Sequence, residues 1–373
     1  MNHRENIRGG DWVKVFKDLK NIMNQVTGTT HKPQAYSQNG QRCENRLDTD
    51  TRAPLRTEPV RLLYHRSLIK EREMKSAYDR ILSGLESWNG SINLGNVQRD
   101  LVSDIFYAVL EDNPQLFHVD KKFTLQYTAS NTTLKPSYNV DSRSAAVIQS
   151  QLDAIVNKLR KQMTGNRFED ERIIHDYVAS TTKYAHSNKG DPRYHRLSGA
   201  LLENLAVCEG ISYGTAYLMD ELGIPCCVIS GNLRSSTESH AWNLVRLSGN
   251  YYHVDVTNDI SDDGPQYVYL NLSDRQLMQT HQWNVHTECT DESRRYLGEN
   301  GCVVDDLDEV KTLLIRRLRE GNMETSLYFP SEHGYTIDDV MKVAGKVMGS
   351  AGRGGSYEVS MRGKVFTVTF RMC

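Results

Sequence analysis

The stretch from Val207 to Thr257 leaves a chain like this little freedom. It reads VCEGISYGTAYLMDELG, then PCCVISG, then a polar loop, then SHAWNLVRLSGNYYHVDVT. From Cys208 onward Ile211, Thr215, Leu218 and Leu222 recur at helical spacing, and Gly223 with Pro225 ends the helix. Residues 239–247 and 250–257 read as two strands, joined at Ser248-Gly249, a pair suited to a two-residue hairpin turn. A turn of that length sets Leu247 opposite Asn250 and therefore Trp242 opposite Asp255. His240 then shares their face, diagonal to Asp255, with backbones about 7–8 Å apart and side chains within reach. One extra residue in the turn would send His240 and Asp255 to opposite faces.

A helix that starts on a cysteine and a hairpin that brings a histidine to an aspartate supply three chemical parts: a nucleophile, its base, and the group that orients the base. In a helix's first turn the unpaired N–H groups and the positive end of the dipole favour thiolate over thiol. Each residue alone has a bland reading. A lone cysteine is usually a small buried hydrophobe, a strand histidine is usually structural, and Asp255 could merely cap a turn. The joint order points to catalysis. His253 lies on the same face as Asp255 and is the second candidate partner. The Cys208 N–H is the natural first oxyanion donor. Asn204 is a guess for the second. Trp242 is a candidate wall of the cleft, and Glu209 either tunes the site's field or faces solvent.

VCEG followed by a helix, SHAWN, a turn and YYHVDVT resemble the core of the transglutaminase-like superfamily, in the bacterial branch of papain-like cysteine enzymes with Cys, His and Asp. DERIIHDYVASTTKY (170–184) resembles the helix that opens this core and LSGALLENLAVCEG (197–210) the approach to the nucleophile. IFYAVLEDNPQLF is similar to the leader of bacterial members, and VYLNLSDRQLMQTHQW (268–283) to their trailer. The likeness runs over roughly residues 60–300. It implies Cys208 as nucleophile, His240 as general base and acid, and Asp255 as orienter. The fold class it implies is α+β: a papain-like core, with the nucleophile's helix packed on an antiparallel sheet.

Composition sets the outer limits. With 373 residues, 38% hydrophobic and 25% charged, the chain can bury a sizeable core in two or three domains. A net charge of −2 implies no strong attraction to nucleic acid or membrane. No run of 18 apolar residues predicts a transmembrane helix, and MNHRENIRGG lacks the apolar segment of an ordinary secretory signal. As written, the chain reads as soluble and cytoplasmic, with specialised secretion left open. Seven cysteines in irregular spacing, without a CxxC pair, argue against structural zinc and for a reducing compartment. Cys226 and Cys227, inside PCCVIS, read as core-strand residues. No cofactor and no metal is expected, since no EF-hand-type calcium loop is present.

The chain divides into four expected parts. Residues 1–58 read as a flexible arm with one amphipathic helix, striped by Trp12, Val15, Phe16, Leu19, Ile22, Met23 and Val26. Residues 59–164 read as a leader of helices and a hairpin. In it Phe123, Tyr127 and Tyr138 serve core packing rather than a cleft, and a long helix spans 143–163. Residues 165–298 form the catalytic core. Residues 299–373 read as βαβαββ, a small accessory α/β domain with a turn at Arg362-Gly363 and a Gly-rich loop, GSAGRGGS (349–356). The N-terminal helix and the C-terminal domain are the candidate surfaces for a partner protein.

The expected reaction is acyl transfer on a glutamine carboxamide or a peptide bond of a protein or peptide, through a Cys208 thioester, giving deamidation, proteolysis or crosslinking. The alternative from another class is a catalytically silent module that binds peptides in the same cleft. A thiol acetyltransferase would use the same triad but need a donor pocket the sequence does not reveal.

Overall fold

The computed structural model describes residues 59–294 and 301–372, apart from 129, 188, 237, 263, 293, 305, 330–334, 351–354 and 363–364, together with the short strand Glu5–Asn6. The expected N-terminal helix, and the arm around it, lie outside the described residues. The chain divides into two compact units. The first holds residues 59–265 and 272–291, the second 266–271 and 292–372.

In the first unit, helices α1 (Tyr64–Leu68), α2 (Arg72–Glu86) and α3 (Arg99–Asp112) accompany a sheet in the order β1-β3-β4-β2. Its strands are β1 (Glu5–Asn6), β2 (Ile92–Gly95), β3 (Val119–Tyr127) and β4 (Thr132–Tyr138). The inward stripes of α2 and α3 bury Tyr78, Ile81, Leu85, Ile105 and Phe106 against Phe123, Leu125 and Leu134, all at most 4% exposed. Each large apolar side chain so buried contributes about 1.5–3 kcal/mol. Phe123 lies in this core and Tyr127 and Tyr138 pack on its edge.

Helix α4 (Ser142–Arg160) starts on Asp141, whose carboxylate accepts the Ser144 N–H. Helix α5 (Arg167–Thr181) starts on Asn166, which caps two amides in the same way. Both begin earlier than hydrophobic spacing alone indicates, because the cap and not the first apolar residue sets a helix start. Two-residue strands β5 (Lys183–Tyr184) and β6 (Leu205–Ala206) pair in parallel on either side of α6 (Leu197–Leu201), and deliver the chain to α7 (Cys208–Glu221).

Behind α7 lies an antiparallel sheet ordered β10-β7-β8-β9, formed by β7 (Cys226–Leu233), β8 (Ser239–Leu247), β9 (Asn250–Val254) and β10 (His281–Trp283). Helix α7 buries Ile211, Ala216, Tyr217, Leu218 and Met219 almost completely. Cys226 and Cys227 are fully buried on β7. In the hairpin, Leu247 faces Asn250 and Asn243 faces Val254, the register a two-residue turn dictates. Ser248 and Gly249 both take positive φ, 48° and 92°, the requirement of a primed turn. The second strand is shorter than alternation suggests. It stops at Val254, because the Asp255 carboxylate turns back to accept the Asn258 N–H and caps a short helix, α8 (Val256–Asp259). Helix α9 (Asp274–Leu277) follows, opened by a Ser273/Gln276 capping box.

The second unit contains β11 (Gly301–Val303), α10 (Leu307–Arg319), β12 (Glu324–Tyr328), α11 (Ile337–Ser350), β13 (Gly355–Arg362) and β14 (Val365–Met372). Its sheet runs β11-β12-β14-β13, parallel only between β11 and β12. Val310, Leu314, Val340, Ala344 and Val347 from the helices meet Leu327, Phe366, Val368 and Phe370 from the sheet in one core. Arg362, expected in the last turn, is itself a strand residue paired with Val365; Gly363 lies outside the described residues. Of the expected Gly-rich loop, Gly349 and Ser350 belong to α11 and Gly355 and Ser356 to β13.

Candidate active site

Cys208 is the first residue of α7 and 9% exposed. The residue before it, Val207, caps the helix without a side-chain hydrogen bond. The first-turn amides therefore keep their donors for something other than the cap. Gly210 allows this turn to sit against the chain at 192–196. A Cβ there would come within 2.4 Å of the Tyr194 carbonyl oxygen and 2.8 Å of that of Arg196.

His240 lies on β8 and is 6% exposed. Its Nε2 donates to Asp255 Oδ2 at 2.8 Å. Its other nitrogen is left free of Asp255, and Cys208 is near enough to act on the ring. Burial alone would strip the proton from this ring. The Asp255 charge and hydrogen bond, with Cys208 behind them, outweigh burial and push His240 up to about 10. Asp255 answers in the opposite sense. It is buried, which would favour the neutral acid, but His240 and a second imidazole hold it well below the usual carboxylate range.

That second imidazole is His281, on β10, whose Nε2 donates to the same Asp255 oxygen at 3.0 Å. Asn258 Nδ2 adds a third bond to Oδ2 at 2.6 Å. Sequence reading passed over His281. The only trace of it is the HQW at the end of 268–283, and no local pattern says that β10 adds to the edge of β7, with His281 opposite Leu233.

His253 is not the competing partner of Asp255. Its Nδ1 accepts the Trp242 indole N–H at 3.0 Å and its Nε2 donates to Asp274 at 2.8 Å. An indole N–H can only donate, so this ring is neutral with its proton on Nε2; burial lowers its pKa in the same sense. Trp242 does not line an open cleft. It is fully buried behind His240, the ring planes 24° apart and the centroids 6.0 Å apart. The space comes from Gly231 on β7, whose missing Cβ would lie 2.6 Å from the indole.

Asn204 is not brought to the triad. It is exposed at a tight turn with φ of 56°, where asparagine tolerates the left-handed backbone, and its carbonyl accepts the Lys183 N–H. No hydrogen bond joins its side chain to Cys208, His240 or Asp255. Glu209 is half-buried rather than solvated. Its carboxylate meets His195 Nδ1 at 2.8 Å and the Lys121 ammonium. These three side chains border a cavity of about 230 Å³ that Leu116, Phe117 and Tyr213 also line.

Among the described residues, three His/Asp groups have the spacing of a metal site: His65, Asp112 and Cys227; His240, Asp255 and His281; His253, Asp274 and Cys289. Hydrogen bonds satisfy each. His65 Nε2 donates to the Val228 carbonyl, while Asp112 accepts two amides and the Tyr78 hydroxyl. In the other two groups the Nε2 that would bind an ion carries the proton given to the carboxylate.

A family profile described as the Transglutaminase-like superfamily matches residues 153–256, which span α7, His240 and Asp255. Residues 153–256 are a transglutaminase-like superfamily domain. Solved structures similar to the chain include a TGase, at 15% identity and a TM-score of 0.30, over 39% of this chain and 46% of the other. A Cytophaga hutchinsonii protein titled as a candidate cysteine protease is 16% identical at a TM-score of 0.23, over 36% and 54%. The matched part thus spans about half the length of each. No curated protein matches. No helix among the described residues is long and apolar enough to cross a membrane.

Proposed function

We propose that the chain is a cysteine-dependent acyl-transfer enzyme acting on a glutamine carboxamide or a peptide bond of a protein or peptide. The observation that carries this reading is the buried His240–Asp255 hydrogen bond, with Cys208 at the start of α7 near enough to act on the same imidazole. The Cys208 thiolate attacks the carbonyl carbon. The tetrahedral oxyanion is held by the Cys208 N–H, an interaction whose loss typically costs about 10²–10³ in turnover. Collapse breaks the C–N bond. The leaving ammonia or amine takes its proton from His240, and the acyl group stays on sulfur as a thioester. Water or an amine then attacks, His240 removes its proton, and the thiolate leaves. Water acting on a glutaminyl thioester gives deamidation, an amine gives a crosslink, and a cleaved peptide bond gives new termini. Asp255 keeps the His240 proton on Nε2, so that Nδ1 is the nitrogen that exchanges protons at the reacting centre.

Intact protein masses in an extract, compared between wild type and Cys208→Ala, test the reading. Deamidated, crosslinked or truncated products that appear only with wild type are expected, and a fluorescent primary amine identifies the acceptor. Identical mass profiles, with Cys208 alkylating no faster than the other cysteines, would replace the enzyme by a peptide-binding module.

A further inference from the structure

We propose that His281 is a positioning residue of this site, a second imidazole that anchors the Asp255 carboxylate from β10 and so sets how firmly that carboxylate holds His240. The inference rests on the reading of Cys208, His240 and Asp255 as the reacting line.

The geometry is specific. One oxygen, Asp255 Oδ2, accepts from His240 Nε2 at 2.8 Å, His281 Nε2 at 3.0 Å and Asn258 Nδ2 at 2.6 Å. His281 and Asp255 are at most 1% exposed, so water does not compete for these bonds. A carboxylate only accepts, so His281 carries its proton on Nε2. The ring is steered from its other side, where Nδ1 lies 2.8 Å from the Thr280 hydroxyl. Trp242 packs edge-on against it at 5.0 Å between centroids. Three donors on one oxygen divide its charge. Removing His281 leaves more of that charge to His240, so the imidazolium is held more tightly and gives up its proton at higher pH. Among the described residues, the titratable groups that act on Asp255 or feel its charge are His240 from β8, His281 from β10 and Tyr184 from β5, and the His281 charge in turn acts on His253 of β9. His281 is the one among them, besides His240, that bonds the carboxylate.

The test needs no identified substrate. Iodoacetate is an anion, so its rate with Cys208 rises as the thiolate–imidazolium pair forms and falls as the imidazolium loses its proton. In the full chain, His281→Phe is expected to move that alkaline limb up by about 0.5–1 pH unit. His281→Gln, whose amide can still donate to Asp255, is expected to bring the limb back toward the wild-type position. Thr280→Val, a half-exposed change that spares the fold, is expected to shift it in the same direction as His281→Phe and by less. An unmoved limb in both His281→Phe and Thr280→Val overturns the proposal, because a merely structural histidine would alter yield or overall rate and leave the limb alone. Nitrogen-15 NMR of the wild-type chain gives a check that needs no variant. A His281 proton on Nε2 supports the proposal, and one on Nδ1 overturns it. A wild type whose Cys208 shows no such pH window overturns the catalytic reading, and this inference with it.

Discussion

Asn243 Nδ2 donates to the Ser212 carbonyl at 2.9 Å, tying the strand that carries His240 to the helix that begins at Cys208. Asn243 is three residues beyond His240, and Ser212 is one turn beyond Cys208, with its own hydroxyl donating to the Cys208 carbonyl at 2.8 Å. The asparagine of SHAWN therefore links the elements that carry Cys208 and His240 without bonding the side chain of either.

Replacing Asn243 by alanine should cost about 1–3 kcal/mol, the range for deleting a buried hydrogen-bonding side chain. It should also slow Cys208 alkylation several-fold near pH 6 while the folded chain retains its circular dichroism. Alkylation as fast as in wild type would mean that helix and strand hold their spacing without this bond.

The same pair shows what was legible in sequence. Helix α7 and the hairpin could be read because each is local. Helical spacing marked the first, and Ser248-Gly249 fixed the second, so that His240 and Asp255 fell on one face. Asp255 did not stay a strand residue, because its own carboxylate satisfies the Asn258 amide and ends β9 early. His281 and the Asn243–Ser212 bond were not legible, since each depends on which elements pack side by side. Trp242 misled for a related reason. It follows a candidate catalytic histidine, yet the missing Cβ at Gly231 lets the indole sink behind the imidazole. Asn204 was misplaced because a turn that needs a left-handed residue selects asparagine for its backbone, not its amide.

The pH dependence follows from the His240–Asp255 pair. His240 is pushed up to about 10 and Asp255 is held below its usual range. The imidazolium's contribution to stability is therefore complete below the unfolded value, about 6.5, and is lost as pH rises toward 10. Turnover that uses this imidazolium as acid should share that alkaline limb. Asp255→Asn should move the limb down, since the neutral amide no longer favours the charged ring. Measuring the iodoacetate limb in both proteins decides it, and coincident limbs would remove Asp255 from its role.

Gly210→Ala should damage the site from outside the triad. The added methyl meets two backbone carbonyl oxygens, of Tyr194 and Arg196, which cannot rotate away as a side chain could. The first turn of α7 must shift, at about 1–3 kcal/mol, the usual cost of overpacking. A fall in melting temperature together with loss of preferential Cys208 alkylation is expected. Gly190→Ala is the control, because nothing lies within 4 Å of a Cβ there. Equal behaviour of the two variants would show that the first turn tolerates the methyl.

His175 ties the short helix capped by Asp255 to α5. Its Nε2 donates to Asp259 at 3.1 Å, with neither side chain exposed, and its Nδ1 donates to Asp176 at 3.2 Å. Burial disfavours the charged ring, but these two carboxylates outweigh it and push His175 up to about 9. The folded value lies above the unfolded one, so the imidazolium stabilises fully below about pH 6.5, and this contribution disappears as pH climbs through 9. The gap in melting temperature between wild type and His175→Gln should be widest near pH 6 and should shrink steadily toward pH 9. A gap that is constant across that range would mean His175 acts as a neutral packing residue, and the anchor of α8 would then have to be sought elsewhere.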